Sequence, residues 1–264
     1  MYKYVSWEWR KEARLVRFWG SLCALAVMGG LFTYGYVNLR HKEALLAIVG
    51  MGASDGFFVP VLAVSVSATI LLPFFVTIVS GDAISGERQW GTWPLLLSQG
   101  VSPWRLYGAK WIVGLTYAGL ATLTLVLSSA LGGFLVMGWH ATALPSGIMA
   151  SAWDQVRLLA LMTAYVSVGQ MAVASLAITV SAFFRNTLST VLVVMGVLLV
   201  MVMIGEFPVF STVQRFLLTD YFSQAQAVLS APPNWLAMER GILVFFLYGM
   251  CSWMTMGWFE PFRD

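Results

Sequence analysis

Charged side chains are scarce in this chain and missing from its longest stretches. Of 264 residues, 59% are hydrophobic and only 10% carry a charge, and the mean hydropathy is +0.79. A water-soluble protein of this length could not bury so much apolar surface. Long uncharged runs separated by short charged segments therefore predict an all-α polytopic membrane protein.

Cysteine and histidine are also rare, with two of each in the chain. Cys23 and Cys251 fall within apolar runs, where we expect them to pack as small hydrophobic residues. His41 and His140 lie in different loops, without acidic or thiol neighbours at the spacing of metal ligands. We therefore expect neither a disulfide nor a bound metal.

The sequence also lacks the motifs of membrane catalysis and of ion coupling. The apolar runs contain no Asp, Glu, Lys, Arg or His that could carry a proton or bind an ion at membrane depth. There is no H-E-x-x-H or G-x-S-x-G pattern, which disfavours a membrane enzyme. None of the lysines belongs to a G-x-x-x-x-G-K-[ST] phosphate loop. The chain is therefore not expected to be an enzyme or to hold a cofactor. Active transport would need ATP and Mg²⁺ bound by a separate ATPase.

The chain does contain six apolar runs, each long enough to cross a bilayer as a helix. We place these spans at residues 18–37, 57–79, 111–137, 158–184, 188–204 and 242–259. Residues 1–264 then form a single transmembrane domain. Pro73 lies inside the second span and should kink it, because proline removes one helical hydrogen bond.

The distribution of positive charge orients these spans. With the N-terminus in the cytoplasm, the inner segments carry ten of the 15 lysines and arginines, which is the positive-inside pattern. Both termini and segment 80–110 are therefore expected to face the cytoplasm. Segment 205–239, which is rich in loop signals, would lie outside.

The N-terminal segment, residues 1–17, carries many of these charges. Residues 4–17 place basic side chains on one helical stripe and apolar side chains on a neighbouring one. This pattern is typical of an amphipathic helix that lies in the membrane interface.

Only one large polar side chain, Gln170, falls deep within a predicted span. We expect it to form a hydrogen bond across a helix interface, because an amide without a partner is costly in apolar surroundings. A contact with substrate along a transport pathway is the alternative.

Segment 80–110 interrupts the apolar pattern with acidic, basic and helix-breaking residues. Asp82 and Glu87 come early, and Gly91 interrupts the helix, after which Thr92 can cap a short apolar helix. A short helix beside the membrane suits docking into a groove of a partner protein.

The stretch ISGERQWGTWPLLLSQGVSPWRLYGAK within this segment resembles the signature of type-2 ATP-binding-cassette (ABC) transporter permeases. The pattern is a Glu, then Gly-Thr, a leucine pair, a Val-Ser turn, and a Lys at the entry to the third span. The matching residues are Glu87, Gly91, Thr92, Leu95, Leu96, Val101, Ser102 and Lys110. Gly100 and Pro103 depart from the pattern around the turn.

The resemblance implies six spans, an N-terminal amphipathic helix, and a cytoplasmic coupling helix between spans two and three. Glu87, Arg88, Gly91 and Thr92 would then lie at or near the contact with an ABC ATPase subunit. Two copies of that subunit would bind ATP and Mg²⁺ and pair with two permeases, either two copies of this chain or this chain and a related one. The complex would lie in the inner membrane of a prokaryote, and no nucleic acid is expected as a partner.

A permease of this kind is expected to serve an exporter. The lack of fixed charge in the spans suits an amphipathic or hydrophobic substrate, such as a drug, a peptide antibiotic or a lipid-like molecule. Two alternatives stay open at this point. One is an ABC-type complex that serves the maturation of an extracytoplasmic enzyme or envelope component, and the other is an ATP-independent channel or facilitator.

Overall fold

The computed structural model of the protein describes residues 1–39, 55–98, 102–143, 149–229 and 235–258. The helices in chain order are α1 (Tyr2–Glu12), α2 (Val16–Leu39), α3 (Phe58–Ser67), α4 (Leu71–Gln89), α5 (Thr92–Ser98), α6 (Pro103–Met137), α7 (Ala152–Ser181), α8 (Thr187–Glu206), α9 (Ser211–Gln214) and α10 (Trp235–Trp258). Two 3₁₀ segments, Pro208–Phe210 and Asp220–Leu229, flank α9. Strands β1 (Thr142–Ala143) and β2 (Met149–Ala150) form a small antiparallel pair.

Five of these helices, α2, α6, α7, α8 and α10, are long and apolar enough to cross a membrane. Helices α3 and α4 pass the same test together, with a bend of 60° between them, and make a sixth crossing if the pair is one span. The chain is thus an all-α polytopic membrane protein, as its hydropathy pattern predicts. The six predicted spans correspond in order to α2, the α3–α4 pair, α6, α7, α8 and α10.

The second span is broken rather than merely kinked. Helix α3 ends at Ser67 and α4 begins at Leu71, which places Pro73 in the first turn of α4. Proline is tolerated there, because the first N–H groups of a helix have no partner within the helix. Gln170 of α7 donates a hydrogen bond from Nε2 to the carbonyl oxygen of Ala68, 2.8 Å away, inside the break. The amide thus supplies a donor where the regular helical ladder is interrupted.

Helix α7 lies at the centre of the bundle. Of its most apolar stretch 67% is buried, against 17% for α8 at the periphery. The main core gathers buried side chains from most of the long helices, among them Leu72, Tyr117, Val166 and Phe245. The turn before α3 approaches α6 so closely that a Cβ on Gly133 would lie 2.4 Å from the Gly56 carbonyl oxygen. Such contact is open only to residues without a side chain.

Helical structure extends well into segment 80–110. Helix α4 continues to Gln89 and α6 begins at Pro103, so most of the segment prolongs the second and third spans. The hydropathy pattern ends the second span at residue 79 and begins the third at residue 111, but polar residues continue a helix as well as apolar ones do. Pro103 is the first residue of α6, a position where proline is favoured. Gly100 and Val101 lie outside the described residues.

The N-terminal helix is shorter than the predicted helix over residues 4–17. Helix α1 ends at Glu12, a turn follows, and α2 begins at Val16. Its buried residues are two acids, Glu8 and Glu12, which face into the bundle. The fully buried side chains of α1 are therefore acidic, while Trp9 of the apolar stripe is partly buried and packs edge-on against Phe18.

The helix ends gather at two ends of the bundle. We call one the charged end; it comprises α1, the second half of α4, α5 and the first turns of α6. The end of α7 and the start of α8 also lie there. Arg88 of α4 donates a hydrogen bond to the carbonyl oxygen of Ala182, just after α7, and Thr187 of α8 donates one to Asp82 of α4. Helix α10 also ends there. We call the other the hairpin end; it comprises Asp55, β1, β2 and the start of α7.

Aromatic packing fixes the last helix at the charged end. The ring of Trp253 in α10 lies against that of Trp111 in α6, with centroids 5.2 Å apart, and against Tyr107 at 5.6 Å. The first helix and the end of the last described helix therefore lie at the same end of the molecule.

Candidate functional site at the charged end

The short helix α5 follows α4 through a tight reversal at Gly91. Gly91 has a φ of 67°, a left-handed conformation that side chains other than glycine rarely adopt. The hydroxyl of Thr92 donates to the carbonyl oxygen of Glu87, 3.2 Å away. The Thr92 hydroxyl thus provides a donor for a backbone carbonyl in the last turn of α4, whereas the sequence predicts that it caps α5. The reversal and this bond tie the position of α5 to the last turns of α4.

Trp93 anchors α5, partly buried Leu96 packs beside it, and Leu95 faces outward. Trp93 is only 4% exposed and packs into a small core with Ile84, Leu106 and Ile178. Leu95 is 61% exposed, and Trp90, just before the helix, is 79% exposed. The helix is therefore held on one side and presents Leu95 on the other, with exposed Trp90 just before it.

Beneath α5 lies a closed ring of four alternating charges, which we call the ion-pair ring. Its members are Glu8 and Lys11 of α1, Glu87 of α4 and Lys110 of α6. Glu8 Oε1 lies 2.6 Å from Nζ of both Lys11 and Lys110. Glu87 Oε1 lies 2.5 Å from Lys11 Nζ and 2.6 Å from Lys110 Nζ. Each carboxylate therefore binds both ammonium groups, and the ring is neutral.

The ring is well shielded from solvent. The side chain of Lys110 has no exposed surface and that of Glu8 is 1% exposed. Burial alone would raise the pKa of Glu8, but the ammonium groups of Lys110 and Lys11 hold this pKa below its ordinary value. Burial would likewise lower the pKa of Lys11, but the carboxylates of Glu8 and Glu87 raise it. Glu8 and Lys11 are therefore both charged at neutral pH.

A second ion pair stands beside the ring. Arg17, at the start of α2, lies 3.1 Å from the Glu12 carboxylate and also pairs with Asp82 of α4. Asp82 in turn accepts a hydrogen bond from Thr187 of α8. The N-terminal helix is thus tied to α4 near both of its buried acids.

An open groove of about 400 Å³ runs between α1 and α5. Its walls are apolar and aromatic, with Trp7, Trp90 and Leu95 among them, and charged groups such as Lys11 and Asp82 line it as well. A search of the described residues finds no group of acidic, histidine and cysteine side chains suited to hold a metal ion.

The four residues proposed for an ATPase contact face different ways. Gly91 and Thr92 are exposed at the reversal before α5. Glu87 lies in the ion-pair ring with 11% of its side chain exposed, and the Arg88 guanidinium donates to the Ala182 carbonyl. The structure therefore places two of these residues on the surface and two in contacts within the chain. Gln170 lies apart from all four, at the break between α3 and α4.

The sequence analysis does not identify two members of the ring, Glu8 and Lys11, as site residues. Counting positive charge treats Lys11 as one more topology signal and gives the acids no role. The available signal is the pair Glu8 and Glu12, one helical turn apart in a basic segment. Two acids on one face of a basic helix indicate that this face meets cations elsewhere in the fold.

Comparison with known proteins agrees with this architecture. A search of curated proteins finds no match to the chain. The chain does match the ABC-2 family transporter proteins over residues 5–242, from the first helix α1 to the start of α10. Proteins of this family are permeases, the membrane components of ABC transporters. The chain therefore belongs to the ABC-2 transporter family.

Proposed function

We propose that this chain is the permease subunit of an ATP-driven exporter and that α5 is the helix on which the partner ATPase docks. The observation that carries the proposal is the arrangement of α5, which is anchored through buried Trp93 and presents exposed Leu95 and Trp90. A rigid helix with an open apolar face suits insertion into a groove of a partner. The groove beside it adds further apolar and aromatic side chains together with charged ones.

The proposal includes an orientation. Lysines and arginines are concentrated in the segments that form the charged end, and such segments stay in the cytoplasm. We place α5, α1 and the end of α10 on that side, within reach of a cytoplasmic ATPase. In this arrangement two ATPase subunits bind ATP and Mg²⁺, and this chain pairs with a second copy or a related permease in the inner membrane of a prokaryote.

The proposed cargo is amphipathic or hydrophobic. A groove of about 430 Å³ lies between α6, α7 and α10, lined by aromatic and aliphatic side chains such as Met171, Phe245 and Phe246. The residues that line it include Ser175 but no acidic or basic side chain. A surface of this character favours lipid-like molecules, drugs and apolar peptides over charged glycans.

Docking is tested with Leu95→Glu, which places a charge on the exposed face of α5. We expect the amount of ATPase that co-purifies with the permease to fall roughly tenfold or more, as when a central interface contact is lost. Met149→Glu is the matched control, because Met149 is an apolar side chain of similar exposure, 67%, at the hairpin end. Equal co-purification with both variants would contradict docking on α5.

Export is tested separately in proteoliposomes that contain the permease and its ATPase. We expect a hydrophobic fluorescent substrate to move only when Mg²⁺ and ATP are present on the ATPase side. Flux of the same size without ATP would identify a channel or facilitator instead.

A further inference from the structure

The ion-pair ring joins three parts of the chain that are far apart in sequence. Glu8 and Lys110 are separated by 102 positions and Lys11 and Glu87 by 76. Within the ring, α1 contributes one acid and one base, α4 contributes an acid, and α6 contributes a base. The ring therefore fastens the N-terminal helix to the last turns of the second span and the first turns of the third.

The ring is also connected to α5 through one of its own members. Glu87 accepts the hydroxyl of Thr92, the first residue of α5, through its backbone carbonyl. The side-chain carboxylate of the same residue binds Lys11 and Lys110. A displacement of α5 is thus passed first to the residue that binds both ammonium groups of the ring.

Breaking such a ring is strongly unfavourable, since removing one partner leaves another charge buried without compensation. The closed, alternating arrangement resists sliding of α1 against α4 or α6, because any shift opens at least two contacts at once. Helix α1 is held a second time through Glu12, Arg17 and Asp82. These contacts make α1, the end of α4 and the start of α6 one mechanical unit.

We propose that Glu8, Lys11 and Lys110 are positioning residues of the coupling apparatus, which make α1 move with α5 when the ATPase changes state. The inference rests on the proposed docking of the ATPase on α5. It assigns the N-terminal helix a role beyond anchoring in the membrane interface: α1 carries the displacement of α5 onward along the membrane surface. Glu87 joins the two parts of this unit.

The alternation of charge allows a test that keeps composition and net charge constant. Exchanging the charges of α1 alone, with Glu8→Lys and Lys11→Glu, sets like charges against Glu87 and Lys110. Exchanging the other two alone, with Glu87→Lys and Lys110→Glu, sets like charges against Lys11 and Glu8. Combining all four substitutions restores an alternating ring with every sign inverted. We expect the two partial exchanges to lose coupled movement and the fourfold exchange to regain it.

Movement is measured with pairs of spin labels in the assembled complex with its ATPase. Cys23 and Cys251 are first replaced by alanine. One pair joins α1 to the hairpin end through Arg10→Cys and Met149→Cys, and the other joins α5 to the same reference through Ser98→Cys. In the native ring we expect ATP to shift both distances. In each partial exchange we expect the α5 distance to shift while the α1 distance no longer responds.

The two proposals fail in different ways in this experiment. If the α5 distance does not respond to ATP in the native ring, docking of the ATPase on α5 is contradicted. If α5 responds and the α1 distance responds equally with native and partially exchanged rings, the role of the ring is contradicted. Loss of the α1 response that the fourfold exchange does not restore also contradicts it.

A milder variant covers the case in which a partial exchange does not assemble. Lys11 is the most exposed member of the ring, at 29%, so Lys11→Gln opens two contacts with the least disturbance of the core. We expect a smaller α1 response with an unchanged α5 response. A full α1 response in Lys11→Gln would overturn the proposal.

Discussion

The two ends of the bundle are held by different chemistry. At the charged end, four ionised groups form a buried ring in which each member compensates two others. At the hairpin end the central group is the neutral amide of Gln155, which is fully buried. Its Nε2 lies 2.7 Å from the His140 carbonyl oxygen and 3.2 Å from the Thr142 hydroxyl.

This difference predicts how each end responds when one side chain is removed. Loss of one ring member leaves a buried charge without its partner, whereas loss of the amide leaves neutral acceptors and the Asp55 carboxylate, which still accepts from the His140 N–H. The charged end is therefore rigid but intolerant of change, and the hairpin end tolerates more. Rigidity suits a site at which a partner protein is proposed to dock and to transmit its movement.

The largest effect is expected from Lys110→Met. The variant removes one of two cations between Glu8 and Glu87, and we expect the free energy of unfolding to fall by about 3–5 kcal/mol. Equilibrium unfolding in detergent measures this change. Lys3→Met is the control, because Lys3 is exposed on the same N-terminal helix. Similar losses in the two variants would show that the ring contributes no more than a surface charge.

A smaller loss is expected when the hairpin end is altered by Gln155→Leu. The variant removes hydrogen bonds to the His140 and Ala150 carbonyl oxygens, the Thr142 hydroxyl and the Asp55 carboxylate, and we expect a loss of about 1–3 kcal/mol. Gln214→Leu, at a partly buried amide in the segment after α8, serves for comparison and should cost less. If Gln155→Leu destabilises the protein more than Lys110→Met does, the contrast between the ends is wrong.

A backbone effect of about 1 kcal/mol is expected from Gly91→Ala, because alanine is strained at a φ of 67°. The same substitution at Gly30, where an added Cβ meets nothing within 4 Å, should not destabilise the protein. Thermal unfolding of the two variants gives the comparison. Equal melting temperatures would mean that the reversal before α5 relaxes without cost.

The smallest effect is expected from pH in the neutral range. The folded-state pKa of Glu8 lies below its ordinary value of 4.5, so its stabilisation is present above that pH and is lost as the pH falls through the lower folded value. The folded-state pKa of Lys11 lies above its ordinary value of 10.5, so its stabilisation is lost only as the pH rises through the higher folded value. We expect stability to be nearly constant between these limits.

Unfolding of the native protein and of Lys110→Met as a function of pH checks this expectation. The acid loss should be smaller in the variant, because Glu8 has already lost one of its two cations. A marked change in native stability between about pH 6 and 8 would contradict the assignment of the ring as the dominant ionisable element.

The sequence predicts the membrane-crossing helices and the reversal before α5 well, because both depend on local patterns. The docking of an ATPase on α5 stays a prediction. Uncharged runs report membrane crossings directly, and Pro73 marks the interruption of the second span. Gly91 predicts the interruption of the helix before α5. These features need no knowledge of which helices are neighbours.

The ring could not be predicted in the same way. Two of its four contacts join positions 76 and 102 apart, so the ring closes only once α1, α4 and α6 are packed together. Hydropathy also places the end of span two too early and the start of span three too late, because it follows side-chain polarity and not backbone hydrogen bonding. Glu87 and Lys110 therefore appear in the sequence as loop residues, although both lie on long helices.

The most direct test of the account asks which end of the permease meets the ATPase. A photoactivatable amino acid is placed at Leu95 in α5 or at Met149 at the hairpin end, two exposed apolar positions, and the assembled complex is irradiated. The account predicts a crosslink to the ATPase from position 95 and none from position 149. Crosslinking from position 149, or from neither position, would contradict the docking of the ATPase at the charged end.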